Sequence, residues 1–390
     1  MRLAHRLVLV VVAACGGGGG NGDDVASDGP ADAPPCFRDP APADRTRFVV
    51  VSHPYDTAGN KADTFEVLEL SQTGELTRPG RTFTLSRAVS GTISFTPDGE
   101  LGLVALENGK LGMFRIDAAG MVTVLETGFG GSFYASRVVV DTRGNRAIVV
   151  DGNTRENGGG LYAVNIACDN TLTDLGLIAP AKLPGGIAIS GDRAMVAAGD
   201  MLDATVGGDD VHLLHWTDPF VRVAGTDAFG DDEAIVGGTA LTFDGGRFLV
   251  GDTSQFSGIP NRVAVVAISG NIVKQLGTVP VEDPQAIIAS PFGNVAVVAS
   301  AFGDKLVILE ESGAKWSVRG EVAYKDGIKP QLPGDVAALD RGMLKGRVLV
   351  SENVSVRQLA FKPDGSVEDL GSLAFGDGLQ NISGAIGVAP

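Results

Sequence analysis

The chain has 390 residues, 31 basic side chains against 47 acidic ones, a formal net charge of −16 at pH 7, and only three cysteines. So acidic a surface repels phosphate backbones, which argues against nucleic-acid binding. Beyond the first fifteen residues no stretch is long and apolar enough to span a membrane.

In chain order, the first element is an export signal. Met1-Arg-Leu-Ala-His-Arg6 is a basic start, Leu7 to Val12 an apolar run, and Ala13-Ala14 a pair of small residues before Cys15. The run is too short for a permanent helix across a bilayer. Val12-Ala13-Ala14-Cys15 resembles the lipobox of bacterial lipoproteins. The resemblance implies that residues 1–14 are a cleaved signal peptide and that Cys15 is lipidated; an ordinary secretory signal is the alternative. Loss of Arg2 and Arg6 leaves 29 basic against 47 acidic groups, a net charge of −18. Gly16 stands where that family places an Asp for inner-membrane retention, which favours the outer membrane. The lipid is then the sole membrane contact.

Residues 15–44 follow as a stalk. Gly16 to Pro42 is mostly Gly, Asp, Ala and Pro, with too little apolar surface to offset the entropy of ordering. An exported protein lives where disulfides persist, so Cys36 and Cys168 are expected to pair and pin the stalk to the body. Two free thiols remain the alternative, since spacing does not reveal geometry.

From about Arg45 to Pro390 one pattern recurs at intervals of roughly 45 to 53 residues. Its opening strands begin at Gly91, Ser136, Gly185, Gly238, Gln285, Gly334 and Gly384. The clearest copy has four runs, Thr92 to Phe95, Leu101 to Leu106, Leu111 to Ile116 and Met121 to Leu125. Pro97-Asp98-Gly99, Asn108-Gly109 and Ala118-Ala119-Gly120 are the turns between them. No run keeps helical spacing, so the chain reads as all-β. Sheets that are apolar on both faces have to be sandwiched, and a closed ring does this without bare ends.

The first copy supplies only three strands, Arg47 to Val51, Thr64 to Leu70 and Arg81 to Leu85, and Gly384 to Ala389 supplies the missing one. Ser94-Phe-Thr-Pro-Asp-Gly-Glu100 and Phe361-Lys-Pro-Asp-Gly365 resemble the turn motifs of the lactonase and YVTN-repeat propellers. The expected fold is a seven-bladed β-propeller over residues 45–390. Its blades are four-stranded and antiparallel, and the C-terminal strand closes the ring by pairing into blade one. Six or eight blades are the alternative counts.

The resemblance places ligands on the face carrying the loops between second and third strands and between blades. Ser52 to Asp63, Gly152 to Gly160, Gly199 to Asp210 and Thr253 to Asn261 read as long loops there. Alignment of the second strands brings His53, Glu107, Asp151, Ala198, Asp252, Ser300 and Glu352 to one position at the strand's end. His53, Glu107, Asp252 and Glu352 are the candidate catalytic residues, as acids or bases. Asp151, Asp200, Asp209, Asp210, Asp231 and Asp232 are candidate ligands for a hard cation such as calcium. The competing reading is that these carboxylates cap turns beginning at Gly152, Thr253 and Asn353.

His212 and His215 are three apart and face opposite ways in an extended strand. Neither a Gly-x-Ser-x-Gly elbow nor a His-Glu-x-x-His pair occurs. The expected function is a monomeric, membrane-tethered binding module, non-enzymatic, for a protein, glycan or small molecule. A lactonase-like hydrolase, implied by the resemblance, and a scaffold are the alternatives.

Overall fold

Short Val-, Ile- and Leu-rich runs separated by Asp-Gly and Asn-Gly turns favour antiparallel meanders. The computed structural model, which describes residues 36–88, 92–152, 159–181, 184–190, 193–198, 209–215, 221–230, 234–253, 260–313 and 315–390, contains seven such sheets among those residues. The export signal, Cys15 and residues 16–35 lie outside the described part. Among the described residues a single 3-10 turn, Lys325–Gly327, interrupts the strands, and no described helix is long and apolar enough to cross a membrane.

From the inside outward, blade two is Ile93–Phe95, Leu101–Ala105, Leu111–Ile116 and Val122–Phe129. Blade three is Ala135–Val140, Arg146–Asp151, Gly160–Ile166 and Leu172–Pro180, and blade four is Pro184–Ser190, Arg193–Ala198, Val211–His215 and Val221–Thr226. Blade five is Val236–Leu241, Arg247–Asp252, Arg262–Ser269 and Ile272–Pro280. Blade six is Pro284–Ala289, Val295–Ser300, Lys305–Ser312 and Lys315–Glu321, and blade seven is Val336–Ala338, Arg347–Ser351, Ser355–Phe361 and Val367–Ala374. Blade one has Arg47–Asp56, Lys61–Leu70 and Leu76–Thr84, and takes its inner strand from the other end of the chain.

That inner strand is Ile386–Val388, paired antiparallel as Val49 with Val388, Val50 with Gly387 and Val51 with Ile386. Ser52 N–H donates to the Ala385 carbonyl at 2.9 Å and Ala389 N–H to that of Phe48 at 2.8 Å, so the zipper extends one residue each way. The inner strands neighbour one another in sequence order, and Ile386–Val388 lies between those of blades seven and two. The chain is a closed β-propeller. Small residues let the inner strands converge: a Cβ on Gly387 would stand 2.5 Å from the Ile93 carbonyl oxygen, and one on Gly238 would collide with the Ala286 backbone.

The core lies between blades, with a separate apolar cluster at each of the seven interfaces of the described residues. The period-two alternation of strands assigns each residue its interface. Val49 and Val51 pack toward blade seven with Leu349 and Val356, while Val50 packs toward blade two with Val104 and Phe114. The Thr-x-Asp-Gly turns that carry the family resemblance also have a physical role. Asp98 accepts from the Thr96 hydroxyl and the Glu100 N–H, and Asp244 repeats this with Thr242 and Gly246.

Outer strands of blades three, five, six and seven each carry a bulge beside a glycine with positive φ, at Gly176, Gly277, Gly320 and Gly371. Bulges twist the open rim of each sheet and discourage pairing with another molecule's edge.

One expectation about loops changes. Ser52 to Asp63 is not a long loop: Arg47–Asp56 and Lys61–Leu70 extend into it, and Asp56 closes a tight turn by accepting from Ala58 and Asn60 N–H. The extension is held from outside, since Tyr55 and Asp56 also pair with Gln380 and Leu379. Residues 153–158, 199–208 and 254–259 of the other three long loops lie outside the described residues.

Residues 36–44, which composition assigns to the stalk, lie along the short-turn face. Cys36 and Cys168 are disulfide-bonded with Cα atoms 5.0 Å apart. Arg38 reaches Asp98 at 3.1 Å and Asn170 at 2.8 Å. Ala41 N–H donates to the Pro97 carbonyl at 2.9 Å, and Asp44 accepts from Met343 N–H at 2.9 Å. The strap thus ties blades three, two and seven together.

Candidate functional site

The aligned residues other than Glu107 occupy equivalent places in the repeat, Leu106 taking that place in blade two, and most are consumed by the fold. Asp151 accepts from Tyr134 N–H at 2.9 Å, and Asp252 from Ile235 N–H at 3.2 Å. Both acceptors clamp the connection arriving from the preceding blade, 17 residues upstream. Asp252 also receives Arg262 Nε at 3.2 Å. In blade six the donor and acceptor exchange places: Asp283, on the arriving connection, accepts from Phe302 N–H at 2.8 Å.

Glu352 belongs to a buried network. It accepts from Arg357 Nε and from the Ser355 hydroxyl, each at 2.5 Å, and Arg357 also binds Asp369 at 2.5 Å. Burial pushes the Glu352 carboxyl up, against the pull of Ser355 and Arg357. Glu107 is half-exposed and bound by Arg87 Nε at 2.5 Å.

His53 is not at a strand end, because its strand continues to Asp56. It is fully buried between blades seven and one, with Nε2 3.5 Å from Glu66 Oε2 and its ring edge-on to Phe375 at 4.6 Å.

Of the candidate cation ligands, Asp200, Asp231 and Asp232 lie outside the described residues. Asp209 is paired with Arg222. Asp210 accepts from Ala228 N–H at 3.0 Å and Phe229 N–H at 3.2 Å. Among the described residues no three His, Cys, Asp or Glu side chains converge to hold a metal. His212 accepts from Arg222 Nε at 2.9 Å, and burial together with that guanidinium lowers its pKa to about 4, so it is neutral at pH 7.

The charges that remain open lie in the central tunnel. The second residues of the seven opening strands are Thr92, Arg137, Gly186, Thr239, Ala286, Asp335 and Ala385, and only two of these carry charge. Thr92 shows what a polar side chain does there: its hydroxyl donates to the Val138 carbonyl at 2.8 Å and accepts from Val138 N–H at 3.3 Å, capping the free edge of the next blade. Asp335 does the same for blade one, with Oδ2 accepting from Ile386 N–H at 3.0 Å.

Arg137 cannot cap in this way, and among the described residues nothing hydrogen-bonds its guanidinium. It interacts electrostatically with Asp335, although blades three and seven stand on opposite sides of the ring. Two side chains so placed attract only by projecting into the enclosed space. Protein surrounds Asp335, and this desolvation pushes its carboxyl up to about 6 against the pull of Ile386 N–H and Arg137. Both residues keep partial solvent exposure, and both stand near the start of their inner strands, at the long-loop end of the tunnel. The sequence carried this signal as two lone charges at one repeat position, which the strand-end alignment passed over.

No protein-family model matches the chain, and no curated sequence does. Solved structures do. A protein from Lactobacillus plantarum aligns with a TM-score of 0.64 over 88% of this chain and 100% of its own, at 14% identity. The periplasmic gluconolactonase of Pseudomonas aeruginosa aligns at 0.60 over 86% and 98%, at 16% identity. A candidate 6-phosphogluconolactonase from Bacteroides fragilis aligns at 0.63 over 90% and 100%, at 15% identity. Likeness at this identity establishes the propeller fold and no activity.

Alanine at two aligned positions separates clamp from site. Asp252→Ala removes the acceptor of Ile235 N–H and Arg262 Nε, and is expected to cost about 1–3 kcal/mol of stability. Glu107→Ala breaks a pair whose arginine, Arg87, is buried but leaves no backbone N–H without an acceptor, and is expected to cost less, about 1 kcal/mol. Urea midpoints of the two variants check this, and equal midpoints would remove the clamp assignment.

Stability is also expected to fall as pH rises from about 4 to about 7. Burial, with Asp227 adding to it, raises the Asp210 carboxyl from 3.8 to about 7, so the folded state keeps a proton that the unfolded chain releases. Asp210→Asn retains an acceptor for Ala228 and Phe229 and should flatten this slope in melting temperatures taken at pH 5 and pH 7.5.

Proposed function

We propose that the chain is a seven-bladed propeller lipoprotein, lipidated at Cys15 and held in the cell envelope at the outer membrane. In this reading it binds a small ligand at the long-loop mouth of its tunnel. One observation carries it. The strand-end carboxylates Asp151, Asp252 and Glu352 are committed to backbone or arginine partners, whereas Arg137 faces Asp335 across the tunnel with its donors open. A group reaching Arg137 has to enter between inner strands, which favours a small molecule over a protein or glycan chain. The described strap, Cys36 to Asp44, lies on the opposite face.

A lactonase-like hydrolase is the second reading, favoured by Asp335. A carboxylate with a pKa of about 6 is matched to general-base work near neutral pH, and two of the similar structures are named for lactone hydrolysis. A thermal-shift screen against calcium and lactones, run beside acid release from glucono-δ-lactone, tests both. Binding predicts a lactone or acid shift that Arg137→Met abolishes and Asp252→Asn preserves. Hydrolysis predicts turnover that Asp335→Asn cuts by about a hundredfold or more. A shift that survives Arg137→Met would remove the tunnel from both. Palmitate labelling that persists in Cys15→Ala would remove the anchor.

A further inference from the structure

We propose that the short-turn face of the ring, with Phe37, Phe243 and Met343 at its tips, docks on the surface of the lipid bilayer that carries the chain. The inference rests on the proposed lipid at Cys15.

Exposed apolar side chains are unevenly placed. Among the described residues six large hydrophobic side chains are 60% exposed or more, and Phe37, Met121, Phe243, Ile272 and Met343 are five of them. In an antiparallel meander the turn between first and second strands and the turn between third and fourth strands share one end of the blade. Phe243 and Met343 lie in turns of the first kind, and Met121 and Ile272 close turns of the second. Phe37 follows Cys36 on the strap that crosses the same end. Apolar tips scattered singly are ordinary on a soluble body, whereas a shared face marks a contact.

Some of the tips are joined. Lys345 Nζ lies 4.5 Å from the centroid of the Phe243 ring and 5.4 Å from that of Phe292, so the turn of blade seven that bears Met343 also reaches the turns of blades five and six. The Arg143 guanidinium lies over the Phe37 ring at 5.7 Å. An exposed ring with a cation on it suits the boundary between water and lipid, where the ring enters the apolar layer and the charge stays with the phosphates.

The chain itself favours a bilayer over a second copy. Its described part starts on this end, with Cys36 bonded to Cys168 and with Arg38, Ala41 and Asp44 continuing along the turns. Residues 16–35 separate Cys36 from Cys15, and a chain of that length spans about 70 Å at full stretch and about 25 Å as a coil. An anchor on so short a lead holds this face and the bilayer at high effective concentration, so weakly binding tips suffice. A second copy would bring an equal excess of acidic groups against its like.

Quenching by spin-labelled lipid in vesicles of phosphatidylethanolamine and phosphatidylglycerol tests this on the lipidated full chain. A fluorophore is attached through Phe243→Cys, through Met343→Cys or, on the opposite face, through Phe302→Cys, where Phe302 is half-exposed beside the long loops. Spin labels at headgroup depth are expected to quench positions 243 and 343 about fivefold more than position 302. Phe37→Ser combined with Phe243→Ser should cut the quenching at position 343 by about half or more, with the melting temperature unchanged.

Equal quenching at the three positions overturns the docking and leaves the anchor standing. Fluorophores at position 343 that quench one another, less so as the protein is diluted among vesicles, would assign the face to a second copy and also overturn it. A chain that takes up no palmitate at Cys15 removes the anchor, and the docking with it.

Discussion

Removal of residues 384–390 is expected to abolish the folded ring. The deletion takes the inner strand from blade one and leaves Val49, Val50 and Val51 without their partners Val388, Gly387 and Ile386. It also strips two interfaces at once, because Ile386 packs into the cluster between blades seven and one and Ala385 into the cluster between blades one and two. Loss of a buried Ile side chain alone is worth about 2–5 kcal/mol, and each ladder hydrogen bond about 1 kcal/mol more. The sum reaches the whole stability of an ordinary domain, about 5–15 kcal/mol. The bared edge of Arg47–Asp56 would in addition be a template for pairing with other chains. Circular dichroism melts and gel filtration check this. A monomeric truncated chain that melts cooperatively within a few degrees of the intact one would show that the ring does not depend on its latch.

The second large effect concerns the disulfide. Cys36 and Cys168 are 132 residues apart in sequence, so their bond restricts the unfolded chain over a long loop. Loop-closure entropy for that length is about 5 kcal/mol, and measured values usually fall below the estimate, so a loss of about 3–5 kcal/mol is expected for Cys36→Ser. The ring should survive, because the strap lies outside it and the seven inter-blade clusters contain neither cysteine. Guanidinium midpoints with and without reductant measure the effect. The intact protein under reductant should match the variant, and an unshifted midpoint would mean that Arg38, Ala41 and Asp44 hold the strap unaided.

The two effects differ in kind. Without the latch the folded state loses interactions that nothing else replaces. Without the disulfide the folded state keeps its contacts and the unfolded state gains freedom. Denaturant slopes distinguish them, since the slope follows the surface exposed on unfolding.

Among the aligned residues, the sequence reading missed the upstream partners of Asp151 and Asp252 and set Glu107 one place beyond the equivalent Leu106. Asp151 and Asp252 accept the backbone N–H groups of Tyr134 and Ile235, which sit on the arriving connection and which no alignment of the second strands pointed to. His53 looked like a loop-edge histidine because the strand after it is lengthened by pairing with Leu379–Gln380, far along the chain. Ser52 to Asp63 consequently reads as an exposed polar loop when taken alone and is a hairpin when its distant partner is present.

By itself the sequence determined the repeat, its four strands, the turns between them and the need for a closing strand from the C-terminus. Each of these is written locally, in period-two alternation, turn residues and a first copy one strand short. Only the tertiary structure decided that the aligned carboxylates clamp the fold, that residues 36–44 form a strap, and that Arg137 and Asp335, nearly two hundred residues apart, stand at one position of the inner strands. The physical reason is distance along the chain. Closing a ring brings together groups from opposite ends of a long sequence, and their electrostatic partners are fixed by where the blades stand, which no local pattern records.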